Sequence, residues 1–220
     1  MKDKIGQSEG DAAAAVDGAT VARRRWLAAA MAWPFMSLAG VSAQAAVRVE
    51  GIDLPDSLTL RGKKLVLNGA GLRKRGYFKS NVVALYLPEK LTTPEAIMRL
   101  DGPRRIQLYL LRDFTSSTIS RIFLADFKQA ATEAEFKVLI NEVAEIGGIY
   151  ANIKRVSPGD TVNIDWQPGQ GIIASLNDRV LHEKPIASEL AYQIYLRMFI
   201  GSGVPDELRH RLLGLQPSGT

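Results

Sequence analysis

The chain has 220 residues, a formal net charge of +5 and no cysteine. Without cysteine it forms neither disulfides nor thiolate sites, so its stability must come from its core. The small excess of positive charge lacks the one-sided basic stripe typical of nucleic-acid-binding proteins, so we expect no nucleic-acid partner.

Residues 1–45 have the pattern of an export leader. The arginines Arg23 to Arg25 precede an apolar stretch, Trp26 to Val41, and a small-residue run containing Ala-Gln-Ala. A basic segment, an apolar segment too short to span a bilayer comfortably and an Ala-x-Ala site are typical of a secretory signal peptide. We therefore predict cleavage after Ala45 and a periplasmic or secreted mature protein. The arginines also fit a twin-arginine signal, so this route and the general secretory route both stay open.

The mature part, residues 46–220, is long enough for one domain and begins with strands. Glycines between the strand-like runs predict turns, one of them at Gly69-Ala70-Gly71. These strands predict a β-meander. The runs are Ser57–Leu60, Leu65–Asn68 and Tyr77–Leu87.

The later part of the chain is mainly helical. In chain order, its predicted elements are a short helix at Thr93–Leu100, a strand at Arg105–Leu111, two amphipathic helices from Thr115 to Gly147-Gly148, a hairpin of Val162–Trp166 and Gly171–Leu176, and helices at Ile186–Ile200 and Pro205–Leu213. Strands followed by helices, with short connections, predict an α+β fold in which helices cover one face of an antiparallel sheet. No later apolar stretch reaches the roughly 18 residues of a membrane span.

Few residues of the sequence suggest a metal site or a catalytic site. The two histidines, His182 and His210, fall in different elements without a nearby acidic cluster, so we predict no metal site and no cofactor. Ser116, Ser117 and Ser120 lack the context of a nucleophile elbow and fit a helix start instead. The residue pattern therefore predicts no catalytic residue.

One basic cluster, Arg73-Lys74-Arg75, follows the glycine motif. It has two interpretations: solvated charges on a turn, or a site for an anionic partner. Because side chains alternate along a strand, Asn81 shares a face with the apolar Val83 and Leu85. A buried amide needs a hydrogen-bond partner, and a polar group of a ligand is one way to supply it.

At these residues the chain resembles the chalcone isomerase family, specifically its bacterial, exported, isomerase-like branch. The resemblance implies an open-faced β-sandwich, a large sheet under a helical layer, with a cleft between them. It rests on four stretches in order: Gly69-Ala70-Gly71-Leu72-Arg73, the strand Tyr77–Leu87, Arg112-Asp113 and Glu183-Lys184-Pro185-Ile186.

In the plant enzymes of this family an arginine, a threonine and a tyrosine organise the ring closure of a chalcone. The resemblance places the arginine at Arg73, the threonine at Asn81 and a hydroxyl residue of the penultimate helix at Ala187. The tyrosine has no match, because the corresponding helix, read as Glu133–Lys137, carries Phe136. These departures favour the family's non-catalytic fatty-acid-binding members, in which the arginine receives a carboxylate.

We therefore predict an exported, non-catalytic binder of a small apolar ligand with an anionic group, such as a fatty acid. Arg73 and Asn81 would bind that group, while Lys74 and Arg75 would be solvated turn residues. Two alternatives stay open: an active intramolecular lyase of the chalcone isomerase type, and an interaction module that uses the basic cluster to bind a membrane surface or a protein. The sequence pattern does not indicate an oligomeric state.

Overall fold

The computed structural model of this protein describes residues 46–215. The predicted leader and the predicted cleavage site after Ala45 lie outside the described residues. None of the helices within residues 46–215 is long and apolar enough to cross a membrane.

The described part of the chain contains one large sheet and two small ones. Seven strands form the large sheet in the order β11-β10-β9-β6-β5-β4-β3, and all neighbouring pairs are antiparallel. The strands are β1 (Ala46–Val49), β2 (Ile52–Pro55), β3 (Ser57–Leu60), β4 (Lys63–Arg75), β5 (Phe78–Leu87), β6 (Arg104–Leu110), β7 (Phe114–Thr115), β8 (Arg155–Val156), β9 (Thr161–Gln167), β10 (Gly171–Leu176) and β11 (Arg179–Val180). The pairs β1-β2 and β7-β8 form the small sheets.

Side-chain caps set the start of most helices. The hydroxyls of Thr93, Thr115, Thr132 and Ser188 accept a hydrogen bond from a first-turn backbone N–H, as N-cap residues do. The helices are α1 (Pro94–Arg99), α2 (Ser116–Ala130), α3 (Glu133–Val138), α4 (Ile140–Ala151), α5 (Glu189–Ile200) and α6 (Asp206–Leu212).

Helices pack on one face of the large sheet. Along β5, Val83, Leu85 and Leu87 belong to the core shared with the helices. The alternate residues Val82 and Ala84 point the other way, into a smaller core with Leu54 of the β1-β2 hairpin. The predicted α+β class, an antiparallel sheet with helices on one face, is confirmed.

The predicted turn at Gly69-Ala70-Gly71 is wrong. Strand β4 continues to Arg75, and the turn falls at Gly76 and Tyr77. A Cβ added at Gly69 would lie 2.0 Å from the carbonyl oxygen of Arg211 in α6. The motif therefore serves close approach of a helix to the strand, where no side chain fits, rather than a change of chain direction.

The predicted helix end at Gly147-Gly148 is also wrong. Helix α4 continues through both glycines to Ala151, and a Cβ at either position would meet nothing within 4 Å. The buried face of α4 extends past them to Ile149 and Tyr150. Packing of this face outweighs the low helix propensity of glycine.

Candidate ligand-binding site

An apolar cavity of about 110 Å³, the inner cavity, lies between the helix-facing side of the sheet and the helices. Four of its apolar wall residues are only half-buried, so the cavity opens to solvent over apolar side chains; these are Leu108, Phe114, Ile119 and Ile122. The deeper wall includes Leu110, Phe123, Val162, Ile164 and Phe199, which are buried. Such a lining suits an apolar group.

Arg73 and Asn81 both line the inner cavity. They lie directly opposite each other in register across β4 and β5. Asn81 is buried, as its place in the alternation predicts, and its amide Nδ2 has no hydrogen-bond partner among the described residues. A buried donor without a partner costs free energy, so a ligand oxygen at this position would offset that cost.

Asp126 of α2 holds two arginines at the same end of the cavity. Its carboxylate accepts a hydrogen bond from Nη2 of Arg73 at 3.0 Å and from Nη1 of Arg75 at 3.2 Å, and Nη2 of Arg75 also donates to it. The Arg73 guanidinium lies 4.7 Å from the centre of the Phe199 ring. This arginine cluster, Arg73, Asp126 and Arg75, carries one net positive charge.

Burial disfavours the charged form of Arg73 in the arginine cluster. Removal of the Arg73 guanidinium from water lowers its pKa to about 10, although the neighbouring carboxylate of Asp126 acts in the opposite direction and Arg75 adds to the lowering. The charged form of Arg73 is thus incompletely compensated in the folded protein. A second carboxylate at this position would favour the charged form.

A more polar cavity of about 390 Å³, the outer cavity, adjoins the arginine cluster. All three residues of the cluster line both cavities. The outer cavity also exposes Lys74, Gln129, Arg197, Ser202 and Glu207. The cluster therefore lies where an apolar space meets a polar one, which is the arrangement that the head of an amphipathic molecule requires.

Two tyrosines of the inner cavity were missed by sequence reasoning. The hydroxyls of Tyr150 in α4 and Tyr195 in α5 form a buried hydrogen bond of 2.8 Å. Burial raises the pKa of Tyr150 to about 12 and raises that of Tyr195 well above its ordinary value. The available signal was the helical spacing that puts Tyr150 on the same face as Val143 and Ile146.

The structure corrects the predicted role of Arg75. Lys74 is exposed, as predicted, but Arg75 ends β4 and pairs with Asp126 instead of being a solvated turn residue. No sequence pattern indicates this pair, because Asp126 follows Arg75 by 51 positions.

The positions assigned to Phe136 and Ala187 also need correction. Phe136 lies in α3, 6.4 Å from Phe127 between ring centres, and is not among the residues that line either cavity. Helices α2, α4 and α5, but not α3, supply the helical wall of the inner cavity. Ala187 precedes α5, whose N-cap is Ser188, and lies beside Gly171 of β10. Neither Phe136 nor Ala187 lines the cavities, so the absence of a hydroxyl at these two positions says nothing about which polar groups line them.

Within residues 46–215, no group of three His, Asp or Glu side chains is placed to hold an ion. His182 has a local role: its Nε2 accepts a hydrogen bond from the backbone N–H of Ala174 at 2.8 Å.

Comparisons with known proteins agree with this architecture. A crystal structure of a fatty-acid binding protein from Arabidopsis thaliana superposes with a TM-score of 0.64 at 13% sequence identity, over 77% of this chain and 96% of that one. A search of curated protein sequences finds no match. The family model described as chalcone isomerase-like matches residues 46–214. The chain therefore belongs to the chalcone isomerase-like family.

Proposed function

We propose that this protein is exported and binds, without catalysis, a small apolar ligand with an anionic group, such as a fatty acid. The observation that carries the proposal is the unpaired amide of buried Asn81 beside Arg73, at the end of an apolar cavity. The Arabidopsis relative of the same fold, described as a fatty-acid binding protein, supports this choice of ligand class. Export rests on the leader pattern of residues 1–45.

Charge favours an anionic head group. The arginine cluster has two cations and one carboxylate, so one ligand carboxylate would make it neutral. Each hydrogen bond between such charged groups contributes about 1.5 to 3 kcal/mol. The planar guanidinium of Arg73 suits a carboxylate, and the Asn81 amide would donate to one of its oxygens.

The volume of the inner cavity limits how much of a ligand's acyl chain can lie inside it. The inner cavity of about 110 Å³ is smaller than the roughly 150 Å³ cavity that accommodates benzene. A chain of about six carbons or more must therefore extend over the half-buried residues of the cavity mouth or displace α2. The mouth residues Phe114, Ile119 and Ile122 are apolar and offer that path.

The groups around the cavity do not favour proton transfer. Asp126 is held by two arginines. The hydroxyls of Tyr150 and Tyr195 bond each other and have raised pKa values. General acid–base catalysis works best with a group whose pKa lies near the working pH. This argues against the alternative of an active isomerase.

Calorimetric titration with dodecanoate tests the proposal. Arg73→Ala should weaken binding about tenfold or more, because a charge-assisted hydrogen bond is lost. Arg73→Lys should recover only part of that loss, since an ammonium cannot make the two-pronged contact. Arg179→Ala, at an exposed arginine of β11, is the matched control and should bind like the parent. No binding by the parent, or equal affinities in all four proteins, would overturn the proposed role of Arg73.

A ring-closure assay separates binding from catalysis. The purified protein should not convert a chalcone above the spontaneous rate when followed by ultraviolet absorbance, with a plant chalcone isomerase as the positive control. Turnover that depends on the protein and disappears in Arg73→Ala would contradict the non-catalytic assignment and favour an active intramolecular lyase.

A further inference from the structure

The tip of the β4-β5 hairpin exposes two consecutive aromatic residues. Tyr77 is fully exposed and Phe78 is 58% exposed. The loop is only two residues long, because Arg75 pairs with Phe78, and its first residue, Gly76, has a φ of 58°. Glycine with positive φ at this position allows a tight hairpin loop, so the aromatic side chains are held at the tip of a well-defined turn.

Cations surround the aromatic tip. Lys74 and Lys79 lie directly opposite each other in register, and the Arg112 guanidinium lies 4.4 Å from the centre of the Phe78 ring. Like charges in opposed positions destabilise a hairpin. Glu50 pairs with Lys79, whereas Lys74 and Arg112 form no salt bridge within residues 46–215. This tip surface, Lys74, Tyr77, Phe78, Lys79 and Arg112, therefore combines exposed aromatic area with excess positive charge.

We propose that the tip surface binds the surface of an anionic lipid bilayer. Aromatic side chains favour the boundary between head groups and acyl chains, and nearby lysines and arginines are attracted to anionic lipids. A protein partner is disfavoured by composition, because lysine supplies two of the five tip residues and is depleted at protein interfaces. The two aromatic side chains contribute at most roughly 500 Å² of the about 800 Å² that a stable protein interface needs on each side.

The position of the tip relates this surface to the inner cavity. Phe78 precedes Asn81 by three residues on β5, a distance of about 10 Å along a strand. Arg112, which contacts Phe78, precedes the mouth residue Phe114 by two positions. A bilayer bound at the tip would therefore lie close to the mouth of the inner cavity. Binding of a bilayer by the tip surface does not depend on the proposed ligand, because neither Arg73 nor Asn81 belongs to the tip surface.

The absence of cysteine allows a site-specific test in the full chain. Tyr77→Cys carries an environment-sensitive fluorophore, and Val138→Cys, at a 72% exposed apolar residue of α3, carries the same label as a matched control. Vesicles contain phosphatidylcholine alone or mixed with phosphatidylglycerol. The label at position 77 should shift to the blue with mixed vesicles, while the label at position 138 should not. High salt should weaken the response.

Two further variants identify the groups involved. Added to the labelled Tyr77→Cys chain, Phe78→Ser should raise the lipid concentration at half-response about tenfold. Lys74→Ala should raise it roughly fivefold, as expected for removal of one surface-bound cation. Arg179→Ala, which removes an exposed arginine of β11, should leave it unchanged.

Three results would overturn the proposal. The first is no spectral shift at position 77. The second is an equal shift at positions 77 and 138, which would indicate adsorption through another part of the chain. The third is a shift that needs no vesicles and grows with protein concentration, which would indicate that the tip contacts a second copy of the chain.

Discussion

Replacing Asp126 by asparagine removes the carboxylate that competes with a ligand for the two arginines. The change keeps the shape of the side chain and raises the net charge of the arginine cluster from +1 to +2. Asp126 is 11% exposed, while Arg73 and Arg75 are 16% and 31% exposed. Removing one partner of a largely buried pair leaves uncompensated charge. The free energy of unfolding should therefore fall by about 2 to 4 kcal/mol.

Ligand affinity should change in the opposite direction. In Asp126→Asn the donors of Arg73 and Arg75 lose a charged acceptor, so a ligand carboxylate gains at least one strong hydrogen bond. With about 1.5 to 3 kcal/mol for such a bond, the affinity for dodecanoate should rise about tenfold or more. Saturating dodecanoate should also restore part of the lost stability, because it binds the folded state.

Urea unfolding with and without dodecanoate, together with calorimetric titration, measures both effects. The control is Glu207→Gln in the outer cavity, because the Glu207 side chain is 68% exposed and its nearest cation, Arg211, is 3.9 Å away. It should change neither quantity appreciably. A folded Asp126→Asn protein that binds dodecanoate no more tightly than the parent would refute the reasoning, since the ligand anion would then not share the arginines with Asp126.

Other consequences can be measured on the same protein. Gly69→Ala should lower the free energy of unfolding in urea by more than about 2 kcal/mol, because its Cβ would lie 2.0 Å from a backbone oxygen of α6. Gly147→Ala, with nothing within 4 Å, should raise it by about 0.5 to 1 kcal/mol; equal effects would contradict the close-approach role of Gly69. Burial raises the pKa of Tyr150 from 10.0 to about 12, so above pH 10 the unfolded state loses this proton first and stability falls as pH rises. In Tyr150→Phe the fall in urea midpoint between pH 8 and pH 11 should be smaller, and an unchanged fall would argue against the assignment. Amino-terminal sequencing of exported protein should begin at or near Ala46, whereas an intact Met1 on most of the protein would contradict the leader.

Local patterns were sufficient for most of the elements. The short helix that starts after Thr93 and the hairpin of β9 and β10 follow from short-range rules on hydroxyl caps and Gly-containing turns. Alternation along β5 placed Asn81 on the buried face. These properties involve residues a few positions apart, so the sequence contains the information directly. The glycine errors arose from the same rules, because Gly69 and Gly147 were interpreted by local preference alone.

The site itself depended on contacts between distant segments. Asp126 meets Arg73 across 53 positions, and the hydroxyls of Tyr150 and Tyr195 meet across 45. Gly69 is constrained by α6, more than 140 positions away. No helical or strand period relates such residues, because their proximity is set by how the helices pack on the sheet. The sequence by itself determined the class of fold, the family resemblance and the choice of Arg73 as a candidate ligand contact, although it placed this arginine on a turn and not on β4. Only the tertiary structure decided that this arginine already shares a carboxylate with a second arginine, because long-range packing brings that carboxylate to the cavity.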